Sequence, residues 1–299
     1  MGKIVVVGSI NMDYTAIVNK LPVVGETLLA TDFQMSGGGK GANQAMAAAI
    51  FSDQVKMIGM LGDDLAGNAL YKKMEEKGVD TSCIEFCETP TGQALINVDH
   101  AGRNTIVVYP GANHQLTDTV VERYRDVIES ADIVMMQLEI PMSTVKAVAK
   151  IAYNAKVPVL LNPAPAQKLD EELLKMVTYI TPNETELLRL ANALETFKGT
   201  QILRNMGVKN VIVTLGAKGC YVKTDEQEMR VDSFLVNAID TTAAGDSFSG
   251  ALAAQLAKGV DLKEALTIAN ATGALTTTKI GAQEALPTKA EVEALLKTR

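Results

Sequence analysis

Two periodicities share this chain, and the changes between them outline its elements. Lys3 to Gly8 is an uninterrupted, largely β-branched run, the pattern of a parallel strand buried on both faces. Val55 to Met60 repeats it, and Leu65 to Lys77 follows with helical spacing and Gly78 just past its end. After Thr117 strand and helix alternate regularly. Strand Asp132–Gln137 leads to helix Ser143–Asn154, and strand Val157–Asn162 to the short strand Tyr179–Thr181 and another helix. Strand Val211–Leu215 comes next, then an extended apolar segment from Phe234 to Ile239. That segment precedes an apolar helical run carrying Phe248, Ala251, Leu252 and Leu256.

Two stretches break the rhythm. Between Asp13 and Met35 the pattern is short extended pieces, punctuated by Pro22 and Gly25. Gln93–Val98 and Asn104–Tyr109 flank His100-Ala101-Gly102-Arg103, a hairpin signature. Antiparallel strands inside an α/β pattern predict a small sheet standing off the main one, and with the pieces after Asp13 it would form a lid. Both hairpin strands carry apolar residues with no evident partner in a thin sheet. Such a face, with its open edges, predicts a homodimer through the lids.

The polar residues Asn11, Asp13, Glu139, Asn183, Thr214 and Asp246 all fall at strand ends or in the turns after them. In open α/β sheets that edge is where ligands gather. Singly, each has a plainer reading: a turn residue bonding its own backbone, or, for Asn183 and Glu186, a helix cap with a favourable first-turn charge. Jointly the plainer readings leave the shared edge unexplained. Asp240-Thr241-Thr242-Ala243-Ala244-Gly245-Asp246 sets small residues before a helix, so unpaired N–H groups converge on an anion beside a carboxylate. A base next to an oxyanion site is what phosphoryl transfer to an alcohol requires. Ser36-Gly37-Gly38-Gly39-Lys40-Gly41-Ala42-Asn43 runs into an Ala-rich helix, Gln44 to Ile50. It is no P-loop, because Gly41 follows Lys40 where Ser or Thr should hold a metal. A small neutral ligand suits it better.

Composition narrows the class. Of 299 residues 47% are hydrophobic and 21% charged, enough for a sizeable core. A net charge of −7 argues against non-specific binding to nucleic acid or anionic membranes. No apolar run approaches a membrane span, the opening strand is too short for a signal-peptide core, and Val6 spoils a myristoylation motif after Met1-Gly2. Cys83, Cys87 and Cys220 lack metal-type spacing and only His100 and His114 are present, so neither structural zinc nor a Ser-His-Asp mechanism is expected. These features predict a cytosolic protein with reduced thiols. Gly8-Ser9-Ile10 lacks the dinucleotide fingerprint, which disfavours an NAD oxidoreductase.

The pairing of Gly38-Gly39-Lys40-Gly41-Ala42-Asn43 with the Asp240–Asp246 segment resembles the ribokinase family of sugar kinases (the PfkB group). The likeness runs along nearly the whole chain, through Gly8-Ser9-Ile10-Asn11-Met12-Asp13, Gln137-Leu138-Glu139 and Pro182-Asn183-Glu184-Thr185-Glu186. It implies one ribokinase-like unit over residues 1–299: a three-layer α/β/α domain with a mostly parallel central sheet and a small β-sheet lid, its strands at roughly 13–36 and 91–109. The implied reaction transfers the γ-phosphate of ATP to the 5-hydroxyl of D-ribose. The resemblance puts the sugar on Asn11, Met12, Asp13, Gly39, Lys40, Gly41, Ala42, Asn43 and Glu139. It puts the nucleotide on Asn183, Thr214, Leu215, Gly216, Ala217, Lys218, Gly219 and Asn270. Glu186 would help to order Mg²⁺, Asp246 would be the base, and Ala243, Ala244 and Gly245 would form the anion hole. A K⁺ site would fall on Asp240, Thr242, Thr276, Lys279 and Gly281; Ala285 departs from the Ser often found near it. Alternatives are a relative acting on fructose, a deoxy sugar or a nucleoside, or a sugar-binding regulator without catalysis.

Overall fold

Strand β1 (Ile4–Val7) sits at the reversal point of the main sheet, between β4 (Val55–Gly62) and β8 (Ile133–Met136), and is parallel to both. The remaining strands are β2 (Asn11–Val18), β3 (Asp32–Gly38), β5 (Asp80–Cys87), β6 (Gly92–Asp99), β7 (Asn104–Tyr109), β9 (Val159–Leu161), β10 (Tyr179–Ile180), β11 (Asn210–Thr214), β12 (Cys220–Lys223) and β13 (Glu228–Val231). The computed structural model describes residues 2–298; Met1 and Arg299, the ends of the expected 1–299 unit, lie outside the described residues. The nine-stranded sheet runs β13-β12-β11-β10-β9-β8-β1-β4-β5, with only β12 and β13 antiparallel to their neighbours. A four-stranded sheet, β3-β2-β6-β7, stands beside it. No described helix is long and apolar enough to cross a membrane.

Alternation along β1 explains the layers. Ile4 and Val6 enter one core with helices Lys40–Ala49, Ala244–Ala257 and Leu262–Thr276, whereas Val5 and Val7 enter a second core with helices Met142–Asn154 and Glu184–Leu190. A strand covered on both faces can be apolar throughout, as β1 is.

Three expectations needed correction. The glycine-rich turn is helical from Lys40 rather than Gln44, because Gly39 takes φ +86° and turns the chain into the helix at once. β12 and β13 went unpredicted and close one end of the main sheet; the extended segment Phe234 to Ile239 joins no strand, and Phe234 packs into the core. β5 also went unpredicted. It is an edge strand with polar residues outward and an irregular register against β4, a pattern that reads as a loop. The pieces after Asp13 are two full strands, β2 and β3, paired antiparallel, and β6 and β7 pair in the expected hairpin.

The helices Lys40–Ala49 and Ala244–Ala257 pack so closely that a Cβ added at Gly250 would lie 2.4 Å from Gln44 O and 2.7 Å from Ala47 Cβ. Small residues on both helices are what permit this. Gly250→Ala should gain about 1 kcal/mol of helix propensity but lose ~1–3 kcal/mol to overpacking. The expected result is a lower urea midpoint at unchanged slope; an equal or higher midpoint would show that the helix pair can spread.

Candidate active site

Helix Ala244–Ala257 begins without a side-chain cap, and its N-cap residue, Ala243, holds a left-handed backbone at φ +57°. A non-glycine residue there is strained by roughly 1–3 kcal/mol and persists only where its surroundings hold it. Several bonds do so. The Ser247 hydroxyl reaches Ala243 O at 2.8 Å, and the buried Thr276 hydroxyl backs Ser247 at 2.8 Å. Asp240 ties the turn from the other side: Oδ1 accepts from Thr242 N at 2.9 Å and Thr242 Oγ1 at 2.6 Å, and Oδ2 from Gly281 N at 2.9 Å. Burial raises the Asp240 pKa, but the Thr242 hydroxyl and the Gly281 and Thr242 N–H groups outweigh it, so the carboxyl lies below its ordinary value. Lys279 does not neutralise Asp240; its ammonium pairs with Glu291 at 2.9 Å.

Asp246, in the first turn of this helix, is only 7% exposed. Its Oδ2 accepts from Asn43 Nδ2 at 3.0 Å and its Oδ1 from Gln44 Nε2 at 2.9 Å. The carboxylate of one helix is therefore held by consecutive amides of the other. Glu139, at the end of the β8 segment, caps that second helix: Oε2 accepts from Lys40 N at 3.1 Å and from Ser9 Oγ at 2.5 Å. Lys40 is pushed above its ordinary pKa, chiefly by the charge of Asp246 and despite burial.

Asn11 and Asp13 open β2 at the point where the chain leaves β1. Asn113 Nδ2 donates to Asn11 Oδ1 at 2.7 Å, and its Oδ1 accepts from Ile10 N at 2.8 Å. The Asp13 carboxylate lies over Gly38, where an added Cβ would come within 2.1 Å of Oδ2. Burial, then the charges of Glu139, Glu284 and Asp246, push Asp13 up to about 7, with Lys40 opposing. Gln283 Nε2 reaches Gly38 O at 3.4 Å behind the same turn.

Two cavities meet at Thr214, Thr241 and Gly245. One, of about 280 Å³, is mostly apolar, bounded by Gly216, Ala217, Gly219, Phe234, Val236, Phe248 and Asn270. Asn270 Nδ2 donates to Val231 O at 3.0 Å, tying the loop that forms its wall. The other, of about 200 Å³, is polar and lined by Lys40, Asn162, Asn183, Glu186, Ala243 and Asp246. Asn183 and Glu186 form a reciprocal capping box, and Glu186 is raised above its ordinary pKa by burial. An apolar slot suits a flat heterocycle, and a chamber with a lysine and an uncapped helix start suits phosphate.

The cavities gather Lys40, Asn183, Glu186, Thr214, Gly216, Ala217, Gly219, Asn270 and the Ala243–Asp246 turn. Asn11, Asp13, Gly39, Gly41, Asn43 and Glu139 line neither, though Asn43 bonds Asp246 and Glu139 accepts from Lys40 N. Leu215 and Lys218 line neither cavity; Leu215 packs against the second core and Lys218 is exposed. Met12 and Ala42 belong to the first core, leaving only their backbone for a ligand. Sequence reasoning missed Ser9, Gln44, Asn113, Gln137 and Asn162. Their signal was weak, because buried amides beside apolar neighbours look like ordinary core-edge residues.

Comparison with known proteins gives the family. A family model described as pfkB family carbohydrate kinase matches residues 1–289. The ribokinase of Bacillus subtilis is 40% identical over 303 residues, spanning 99% of this chain and 100% of its own. That of Haemophilus influenzae is 39% identical over 292 residues, spanning 96% and 95%. Among solved structures, Arabidopsis thaliana ribokinase complexed with ribose and ATP matches with a TM-score of 0.92 at 32% identity, over 99% of each chain. The chain belongs to the pfkB family of carbohydrate kinases.

Proposed function

We propose that the protein transfers the γ-phosphoryl group of ATP to the 5-hydroxyl of D-ribose, giving D-ribose 5-phosphate and ADP. The observation that carries this reading is the place of Asp246: a buried carboxylate in the first turn of an uncapped helix, tied to Asn43 of the glycine-rich turn and lining the polar cavity. Asp246 takes the hydroxyl proton, and the N–H groups of the Ala243–Asp246 turn hold the charge on the moving phosphoryl group. Asn11, Asp13, Gly39, Lys40, Asn43 and Glu139 hold the sugar. A polyol calls for forked acceptors and donors, and Asn11, Asp13, Lys40 and Glu139 supply both kinds. The apolar cavity takes the adenine ring, and the polar one the phosphates. Glu186 fits Mg²⁺, since its carboxylate shares the polar cavity with that of Asp246; the ion, when bound, would neutralise phosphate charge. The small β3-β2-β6-β7 sheet is the lid over the sugar.

Asp240, with Thr242 and the backbone of Thr276, Lys279 and Gly281, fits K⁺. One carboxylate kept ionised, together with neutral oxygens, suits a large, weakly hydrated ion, and Lys279 is engaged elsewhere. Such an ion would steady the strained Ala243 turn from behind. The second copy of the chain is expected at the lid. Phe33, Met35, Leu95, Val107 and Tyr109 are exposed, and the pairing register puts them on one face of the small sheet. Three free cysteines fit work in the cytoplasm.

Asp246→Asn should keep ribose and ATP binding by calorimetry and lose about 10²–10⁴-fold in kcat; turnover within a few-fold of the unaltered enzyme removes Asp246 from the base role. Asp13 supplies a pH test. With its pKa raised from 3.8 to about 7, its protonated form is favoured in the fold. Its contribution to the stability of the ligand-free enzyme is therefore full at acid pH and lost as pH rises through about 7. Ribose, which needs the carboxylate, should bind more weakly by roughly tenfold per unit below that value. Asp13→Asn should abolish the dependence, and an affinity unchanged between about pH 6 and 8 would contradict the assignment. Initial rates in KCl should exceed those in NaCl or choline chloride at matched ionic strength, through kcat; equal rates in all three salts eliminate the cation site. Sedimentation should give a dimer, and a monomer at micromolar concentration refutes the lid interface.

A further inference from the structure

Behind Asp246 stand three buried amides: Gln44, Gln137 and Asn162. Gln44 Nε2 donates to Asp246 Oδ1 at 2.9 Å and to Asn162 Oδ1 at 3.2 Å, and its Oε1 accepts from Gln137 Nε2 at 2.7 Å. Asn162 is held in turn by its own Nδ2, which donates to Thr181 O at 3.0 Å. An amide nitrogen carries two hydrogens and the oxygen none, so these contacts permit Gln44 one orientation. Turned over, its oxygen would face two acceptors, Asp246 and Asn162, and its NH₂ would face the NH₂ of Gln137. Gln137 packs its Oε1 against Gly8, 1.9 Å from where a Cβ there would stand, and that oxygen is buried without a partner, so the orientation of Gln44 is fixed by Asp246 and Asn162.

Asn43, the other partner of the carboxylate, is not clamped in this way. Its Oδ1 is buried and has no partner, so rotating its amide breaks no bond there. Such a rotation would turn a donor to Asp246 Oδ2 into an acceptor from it. The two carboxylate oxygens therefore differ: one faces a fixed donor and the other a partner able to reverse.

We propose that Gln44, oriented by Asn162 and packed against Gln137, is a positioning residue that keeps Asp246 Oδ1 an acceptor and directs the sugar proton to Oδ2. This rests on the reading of Asp246 as the base. In the step, the bond from the sugar oxygen to the γ-phosphorus forms as the bond from that phosphorus to the bridging oxygen of ADP breaks. The hydroxyl proton passes to Asp246 Oδ2, and Asn43 turns to receive it. Gln44 touches neither sugar nor nucleotide; it acts through the carboxylate.

The test compares Gln44→Met, which keeps the length of the side chain and removes its donor, in two backgrounds. In the unaltered enzyme kcat should fall about 10²-fold, as expected for a misplaced reacting group, with KM for ribose and for ATP within about twofold. In an Asp246→Ala background the same substitution should cost nothing further, because nothing remains to be oriented. A loss of equal size in both backgrounds, or a rise in ribose KM that matches the fall in kcat, overturns the proposal. So does an unchanged kcat in Gln44→Met when Asp246→Asn is inactive, an outcome that leaves the base reading standing. An active Asp246→Asn overturns the base reading instead. Should Gln44→Met not fold, as judged by circular dichroism, Gln137→Met carries the test one bond further away. It should lose about tenfold in kcat with ribose KM unchanged, and a kcat equal to that of the unaltered enzyme overturns the proposal.

Discussion

The contact between Asp246 and the amides of Asn43 and Gln44 is the one on which the site depends. It joins helices separated by some two hundred residues of chain, and it is short only because both helices present small residues to each other. The alanines and Gly250 that look like filler in the sequence set that spacing. A carboxylate buried this deeply needs hydrogen-bond donors, since an unpaired buried charge is strongly destabilising. The amides of Asn43 and Gln44 supply them.

Charge is crowded here. The charges of Glu139, Glu284 and Asp246 bear on Asp13, with Lys40 as the cation that offsets them. Burial first, and then those charges, raise Asp13, and the charge of Asp246 keeps Lys40 ionised. Glu284 belongs to a separate segment and pairs with Lys73 on the helix after β4. The field at this turn is thus assembled from parts of the chain that share no motif.

Strain is concentrated at Ala243, and its supports come from three directions: Ser247 and Thr276 inside the helix pair, Asp240 through Gly281, and Thr277 O, which accepts from Ile239 N at 2.7 Å and from Asp240 N at 3.1 Å. All but the bond from Thr276 to Ser247 end on the turn or just before it. A preorganised cradle of N–H groups needs that rigidity, because donors that must rearrange during reaction stabilise charge less well.

The sequence by itself determined the alternation of strands and helices, the hairpin Gln93–Tyr109, and the gathering of Asn11, Asp13, Glu139, Asn183, Thr214 and Asp246 at one edge. The physical reason is local: burial on both faces, turn chemistry and helix starts leave their mark within a few residues. The glycine-rich and Asp240–Asp246 motifs also made the family legible. Only the tertiary structure decided which side chains act together. Nothing local ties Gln137 to Gln44, Asn113 to Asn11, or Lys279 to Glu291 rather than Asp240. Nor does the apolar run Phe234–Ile239 show that it joins no strand while β12 and β13 close one end of the sheet. Hydrogen bonds between buried amides depend on distances of a few tenths of an ångström across elements far apart in the chain. Periodicity carries no record of them.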